Sequence, residues 1–487
     1  MNKFARKFLP LAVAAATAAS MMAGLAPAHG AANVTVNWFV GLGTGTNDQQ
    51  IAAEKKVVDE FNSSVGKDKG ITLAVQFGAN FQTSMDTITT LIASGNAPDI
   101  AGPVGVGGSN ALADQWMDLK PLIDKNKYDM TQFDPSVLSL YQTLNGGYSA
   151  IPFAVYPSIL YYNTALFDEA GLKYPPTKVG DQYTFPDGTK ADWNYTTLGK
   201  VAKMLTVDKA GNDATSSKFD PKNIVQYGMN FQWALMRLVL ADIQPSAFYD
   251  AASNKVKISD DWRKAAAWVQ AGVWKDHYIS SATAEASTLL QPSAFDSGHL
   301  AMAITPLWYT CCLTDTAGKL KWNIAVVPQS LDGKTHDAVD ADTFRVFKST
   351  KNPDATFTVL TYLEGTAVPE LADTYGAFPA LAKYQQPWID GKNKTYTQGV
   401  NWSVATDMLK YTNPSNLHHE SNSPHFQQVE DRFASFYTTI FGDTGATVDV
   451  NAEMDKLEKD LQSIVNGTFP TSTPVPTPTP APTKAAS

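Results

Sequence analysis

The order of hydrophobic periods between residues 33 and 150 constrains this chain most. Val34-Thr35-Val36-Asn37-Trp38-Phe39-Val40 reads as a strand from its β-branched and aromatic content. A Gly/Thr-rich loop, Gly41 to Asp48, follows it. Gln49 to Asn62 then carries Ile51, Val57, Val58 and Phe61 as a helical stripe. Ile71 to Phe77 is a second strand, Phe81 to Ser94 a second helix ended by Gly95, and Ala97-Pro98-Asp99-Ile100 opens a third strand. Strand and helix in alternation predict a parallel, doubly wound sheet. Ligands bind such sheets beyond the carboxyl ends of the strands. Gly41–Asp48, Gly102–Asn110 and the turn near Asn80 are therefore expected on one edge.

The rest of the chain is compatible with more than one such unit. Its 487 residues exceed the usual domain length of about 150 about threefold. With 44% hydrophobic and 17% charged residues it buries large cores, which excludes disorder, collagen and coiled coil for its bulk. Ile151 to Asn163 is extended, because Pro152 and Pro157 exclude a helix. Helices are expected at Thr196–Leu205, Asp260–Lys275, Pro353–Leu363, Phe426–Phe441 and Val450–Val465. Strands are expected at Leu300–Ile304, Trp322–Val327 and Asp342–Phe347.

The two ends read differently. Lys3, Arg6 and Lys7 precede an uncharged, Ala-rich apolar run from Leu9 to Leu25, and Ala26-Pro27-Ala28 offers a small-residue cleavage site. Residues 1–28 are thus expected to be a secretory signal, and the protein periplasmic or extracellular. No Cys follows the run for lipid attachment. Losing three cations moves the net charge from −9 to −12. That acidity disfavours nucleic acid as a partner. Residues 471–487 alternate Pro with small residues, which favours an extended, disordered tail.

Several stretches, in order, resemble family 1 of the extracellular solute-binding proteins, the carbohydrate receptors of ABC importers. Ser94-Gly95-Asn96-Ala97-Pro98-Asp99-Ile100 is similar to the family's Gly…Pro-Asp turn. Gly147 to Pro152, followed by Leu160-Tyr161-Tyr162-Asn163-Thr164-Ala165-Leu166-Phe167-Asp168-Glu169-Ala170-Gly171-Leu172, resembles its Tyr-Tyr-Asn block. Pro175-Pro176-Thr177, Phe295 to Met302, Lys351-Asn352-Pro353-Asp354-Ala355 and Gly376-Ala377-Phe378-Pro379-Ala380 resemble later blocks. The resemblance covers residues 34 to about 467. An insertion, Lys178 to Asp192, falls outside it.

The resemblance implies an α/β protein of two hinged lobes, each a doubly wound, mostly parallel sheet with flanking helices. One lobe would hold 33–151 plus 338–374 and the other 152–330 plus 375–467. The chain would cross between them near Ile151–Tyr156, Pro328–Val339 and Asp373–Phe378. The implied function is capture of a mono- or oligosaccharide in the interlobe cleft and delivery to the membrane permease of an ABC importer. The implied protein is a monomer, not an enzyme, and has no cofactor. A secreted glycan-active enzyme is the alternative, and so is the same fold holding a polyamine or polyol.

A sugar offers a hydroxyl rim to polar side chains and two C–H faces to aromatic rings. Trp308 matches the family's stacking Trp, with Tyr309 beside it, and Tyr156 sits in the first crossing. Asp340 and Asp342 stand where many relatives carry Gly-Gly; they grip hydroxyls or a cationic group, or salt-bridge Arg345. Thr44, Thr46, Asn47 and Asp48 lie in the first loop, whose glycines let backbone approach a ligand. Asn80 and Phe81 begin the next helix, where Asn80 either reaches the cleft or only caps the helix. Phe378, Trp402 and Phe426 are second-lobe candidates, each favoured as core over contact. Pro103 stands where maltose-binding relatives place a Trp, so one platform is absent.

The two cysteines are adjacent. Cα atoms about 3.8 Å apart are closer than the usual disulfide span of about 4.4–6.8 Å. The expectation is a strained Cys311–Cys312 disulfide lining the cleft, formed in an oxidising compartment. His418, His419 and His425 match no standard metal spacing, and a solvated loop is expected there.

Overall fold

The computed structural model describes residues 33–143, 146–313 and 320–469, apart from the side chains of Phe81, Gln82 and Cys311. The expected signal segment and Thr/Pro tail lie outside the described residues. In chain order the strands are β1 (Val34–Val40), β2 (Ile71–Phe77), β3 (Ile100–Val104), β4 (Ile151–Tyr156), β5 (Ser158–Asn163), β6 (Gln182–Thr184), β7 (Lys190–Asp192), β8 (Val207–Asp208), β9 (Ile224–Phe231), β10 (Tyr249–Asp250), β11 (Lys255–Val256), β12 (Leu300–Pro306), β13 (Trp322–Ala325), β14 (Asp340–Val346) and β15 (Phe378–Pro379).

They form two large mixed sheets, β15-β4-β14-β3-β1-β2 and β13-β5-β12-β9-β8, with helices around them. In the first sheet β1 runs parallel to β2, pairing Val34 with Ile71, and parallel to β3, pairing Trp38 with Ile100. The expected parallel pattern is confined to these three strands and to β9–β12. The other pairings of both sheets are antiparallel. The reason is the chain's path. β4 leaves the first sheet for the second, and β14 comes back, so the returning strand runs against its neighbours β3 and β4.

The step between sheets takes one residue. β4 is buried at every position in the first sheet and β5 at every position in the second, with Pro157 between them. Continuous burial of both strands follows from neighbours on both sides. Pro157 has no N–H to leave unpaired, and its carbonyl accepts the Leu307 N–H at 2.9 Å. Ser158 ties this step to the returning segment: its N–H donates to Asp337 Oδ1 at 2.8 Å and its Oγ to the Ala338 carbonyl at 2.9 Å. Two expected boundaries therefore move. Ile151–Tyr156 belongs wholly to the first sheet, and so does β15, because Phe378 pairs with Val155. The third passage comes after Pro379 rather than at 373–378.

Local signals account for most helix limits. Asn47 caps Asp48–Ser63 in a box with Gln50, and Ser259 caps Asp260–Trp274. Gly376, at φ 66°, ends Val368–Tyr375. The insertion folds as the hairpin β6–β7, with Tyr183 buried against Trp193. The helix Ala382–Thr395 goes unread in the sequence because Pro387 interrupts its pattern.

Three of the residues proposed for a ligand lie in the core. Phe378 is fully buried and meets Trp388 edge-on. Trp402 is 2% exposed and packs against Trp322, Trp388 and Tyr396. Phe426 opens its helix with its side chain buried. Trp402→Ala should therefore lower the free energy of unfolding by about 3–5 kcal/mol in a urea melt. An unchanged midpoint would take Trp402 out of the core.

Candidate functional site

Antiparallel register places Asp340, at the start of β14, opposite Tyr156, at the end of β4. Both stand at the rim of the first sheet that faces the step to the second. Asp342 lies on the same strand, and its Oδ2 accepts the Tyr156 hydroxyl at 3.0 Å. The second sheet supplies Trp308. The strand β12 ends at Pro306, and the helical turn Leu307–Cys311 carries the indole outward. Trp308 Nε1 donates to Asp340 Oδ2 at 2.7 Å, so one hydrogen bond joins the two halves. The structure thus brings Trp308, Tyr156, Asp340 and Asp342 together.

Three partners join this cluster, of which Trp233 and Glu420 had no counterpart in the sequence reading and His419 was expected in a solvated loop. Trp233, 40% exposed, lies with its ring within 5° of parallel to Trp308 and the centroids 6.3 Å apart. It sits in the left-handed region, φ 59°, just after β9. His419 Nε2 lies 2.9 Å from Asp340 Oδ1. Glu420 reaches the first lobe: its Oε2 accepts the Gly107 N–H at 2.8 Å, and its carbonyl accepts Asn110 Nδ2 at 2.6 Å. A Cβ at Gly107 would stand 2.4 Å from Glu420 Oε1 and would push that carboxylate off its present place. The available signal was the run His418-His419-Glu420, three titratable side chains in succession. Trp233 carries no local mark among eleven tryptophans.

Of the three histidines expected in a solvated loop, His425 is exposed, but His418 and His419 are not. His418 and His419 are 3% and 7% exposed, with rings stacked at 4.4 Å. His418 Nε2 donates to the Val339 carbonyl at 2.9 Å, and its Nδ1 accepts the Glu420 N–H at 3.0 Å. The returning strand pulls this segment inward, because Asn413 N–H donates to the Asp337 carbonyl and Asp337 N–H to that of Tyr411. Arg345 is not the partner of either aspartate. It donates to Ser109 Oγ at 3.0 Å and the Ser149 carbonyl at 2.7 Å, and lies over the Tyr141 ring.

The first loop turns toward its own helix. The Gln50 side chain accepts the Gly45 and Thr46 N–H groups and donates to Thr44 Oγ1 at 2.8 Å. Asn47 is consumed as a cap and Asp48 is exposed in the first turn. The close approach allowed by Gly45 is to Glu54: a Cβ would stand 2.4 Å from Glu54 Oε1. Asn80 caps its helix through Thr83 N–H at 3.0 Å and is exposed. The Phe81 side chain lies outside the described residues. Tyr309 is fully buried, and its hydroxyl donates to Asp296 at 3.0 Å, so it supports Trp308 from within. Cys312 is disulfide-bonded, and the side chain of Cys311 lies outside the described residues.

Burial sets the electrostatics. It pushes the Asp342 carboxyl up to about 7, with the Tyr156 hydroxyl opposing and Asp340 adding to the rise. Glu420 is likewise pushed up to about 7 by burial. Burial acts the same way on Asp340, but the His419 imidazolium and the Trp308 N–H outweigh it and hold Asp340 below the usual carboxylate range. His418 is driven down to about 3 by burial and by neighbouring His419. The site thus holds one fixed ion pair beside two carboxyls poised near neutrality. Such a set of donors, acceptors and indole faces binds polar rims and flat C–H surfaces.

Residues 56–401 match the family model described as bacterial extracellular solute-binding protein. Among solved structures, the chain is similar to the ABC substrate-binding protein Lmo0181 from Listeria monocytogenes in complex with cycloalternan. The TM-score is 0.67 at 18% identity, covering 90% of this chain and 100% of that one. It is similar to the maltose/maltodextrin-binding domain MalE from Bdellovibrio bacteriovorus bound to maltotriose, at TM-score 0.60 and 16% identity, covering 88% and 98%. UgpB from Mycobacterium tuberculosis in complex with glycerophosphocholine gives TM-score 0.63 at 15% identity, covering 89% and 99%. No curated protein sequence matches the chain at a significant level.

The raised carboxyls make stability depend on pH. Burial raises Glu54 to about 8 against the opposing Tyr375 hydroxyl, and Asp342 and Glu420 to about 7. In the unfolded chain each titrates near 4. As pH rises from about 4, the unfolded state loses these protons first. The contribution of these groups is complete below that pH and falls as pH rises through 7 to 8. The melting midpoint should therefore fall between pH 5 and pH 8, and Glu54→Gln should flatten the fall. A midpoint that climbs over this range would contradict the assignment.

Proposed function

Because this chain belongs to the bacterial extracellular solute-binding proteins, we propose that it captures a carbohydrate between its two lobes and delivers it to the permease of an ABC importer. One lobe is built on the first sheet and the other on the second. The observation that carries this reading is the meeting of Trp308 and Trp233, from one side, with Asp340, Asp342 and Tyr156, from the other. Indole faces suit the C–H faces of a pyranose, and the carboxylates and the tyrosine suit its hydroxyl rim. Neighbours bound to cycloalternan and maltotriose support a carbohydrate as the solute.

Capture works by differential affinity. A solute touching both lobes favours the closed arrangement by as much as it binds that arrangement better. Asp340 already bridges the halves through Trp308. A sugar hydroxyl competes for the same carboxylate, so the solute replaces a protein bond with its own. The protein acts as a monomer outside the cytoplasm, with residues 1–28 as its export signal. No helix among the described residues is long and apolar enough to cross a membrane. It binds its solute without turning it over.

Calorimetric titration with mono- and oligosaccharides tests this. Binding should be unaccompanied by consumption of the sugar. Trp308→Ala and Trp233→Ala should each weaken it at least about tenfold, which is ~1.4 kcal/mol. Both variants should melt within a few degrees of the parent chain. Hydrolysis of a bound glycan, or affinity untouched by both substitutions, would overturn the reading.

A further inference from the structure

We propose that Asp340, His418 and His419 form a binding site for one divalent metal ion of the zinc class. This goes beyond carbohydrate capture and does not depend on it. One donor atom from each residue lies within 4.8 Å of the other two. Tetrahedral zinc, with bonds of about 2.0–2.2 Å, spaces its donors about 3–4 Å apart. The cluster therefore needs a small contraction and a turn of one imidazole out of its 4.4 Å stack on the other.

Three features favour a metal over a plain ion pair. His419 Nε2 stands 2.9 Å from Asp340 Oδ1, and the other nitrogen of this buried ring, Nδ1, has no hydrogen-bond partner. Next, the outer groups are those of a metal site. His418 fixes its ring by donating Nε2–H to the Val339 carbonyl, which leaves the lone pair on Nδ1. Asp340 is fixed through its other oxygen by the Trp308 indole. Finally, both imidazoles are nine-tenths buried, where few alternatives exist for their nitrogens. Two imidazoles and one carboxylate suit zinc, nickel or copper and disfavour calcium and magnesium. Binding costs one hydrogen bond, because the Glu420 N–H must release His418 Nδ1, and it sends the proton shared by the His419–Asp340 pair to solvent. The ion would join β14 to the segment leading into Phe426–Phe441.

The test is a titration of the chelator-stripped, full exported chain with zinc chloride, read by calorimetry in the absence of any sugar. One equivalent should bind. Asp340→Asn and His419→Gln should each weaken binding at least about tenfold, while His336→Gln, whose imidazole pairs with Asp332 outside the cluster, leaves it unchanged. Cobalt(II) gives an independent reading on the unaltered chain. Strong visible absorption of low-coordinate cobalt is expected. No heat, binding indifferent to Asp340→Asn and His419→Gln, or only the faint spectrum of octahedral cobalt would overturn the proposal. If a variant fails to fold, the cobalt spectrum of the parent chain decides.

Discussion

The one-residue step at Pro157 governs the arrangement of this molecule. It obliges β4 to finish one sheet and β5 to start the other with no loop between them. Any strand that pairs with β4 must then begin at the same seam. β14 does so, and its register puts Asp340 opposite Tyr156. The bonds from Ser158 to Asp337 and Ala338 hold the outgoing and returning chains together at that point. Two close-packed sheets are thus joined by short, mutually bonded segments, the arrangement of a hinge.

The seam concentrates charge where water is scarce. Asp340 stays ionised because His419 and Trp308 attend it, whereas Asp342 and Glu420, lacking a cation of their own, are pushed toward neutrality by burial. A buried ion pair seldom adds net stability, since desolvation offsets attraction. The arrangement makes better sense as preparation for a partner than as support for the fold. Indole faces at Trp233 and Trp308 lie beside these groups, so polar and apolar recognition share one place.

Much of the scaffold was legible. Residue type and periodicity set the strands Val34–Val40 and Ile71–Phe77 and the helices Pro353–Leu363, Phe426–Phe441 and Val450–Val465, because each buries apolar side chains. The ordered motifs carried the family. Strand direction was less legible: parallel β-α-β units announce themselves through crossover helices, while the direction of β14 depends on which lobe the chain comes from. Motif position singled out Trp308, Tyr156, Asp340 and Asp342, which the structure brings together in the candidate site. Trp233 and Glu420 were not, because they arrive through loops whose course depends on the whole fold. The first loop misled in an instructive way. Its Gly45 does permit close approach, but to Val40 and Glu54 of the same chain.

The most direct test of the account is a thermal-shift screen of the exported chain against saccharides, polyols and polyamines. A solute that binds only the folded state adds about 2.7 kcal/mol at a hundredfold excess over its dissociation constant. The account predicts a dose-dependent rise in the midpoint with at least one carbohydrate, which is recovered intact afterwards. A rise with a polyamine and silence from every carbohydrate would contradict it.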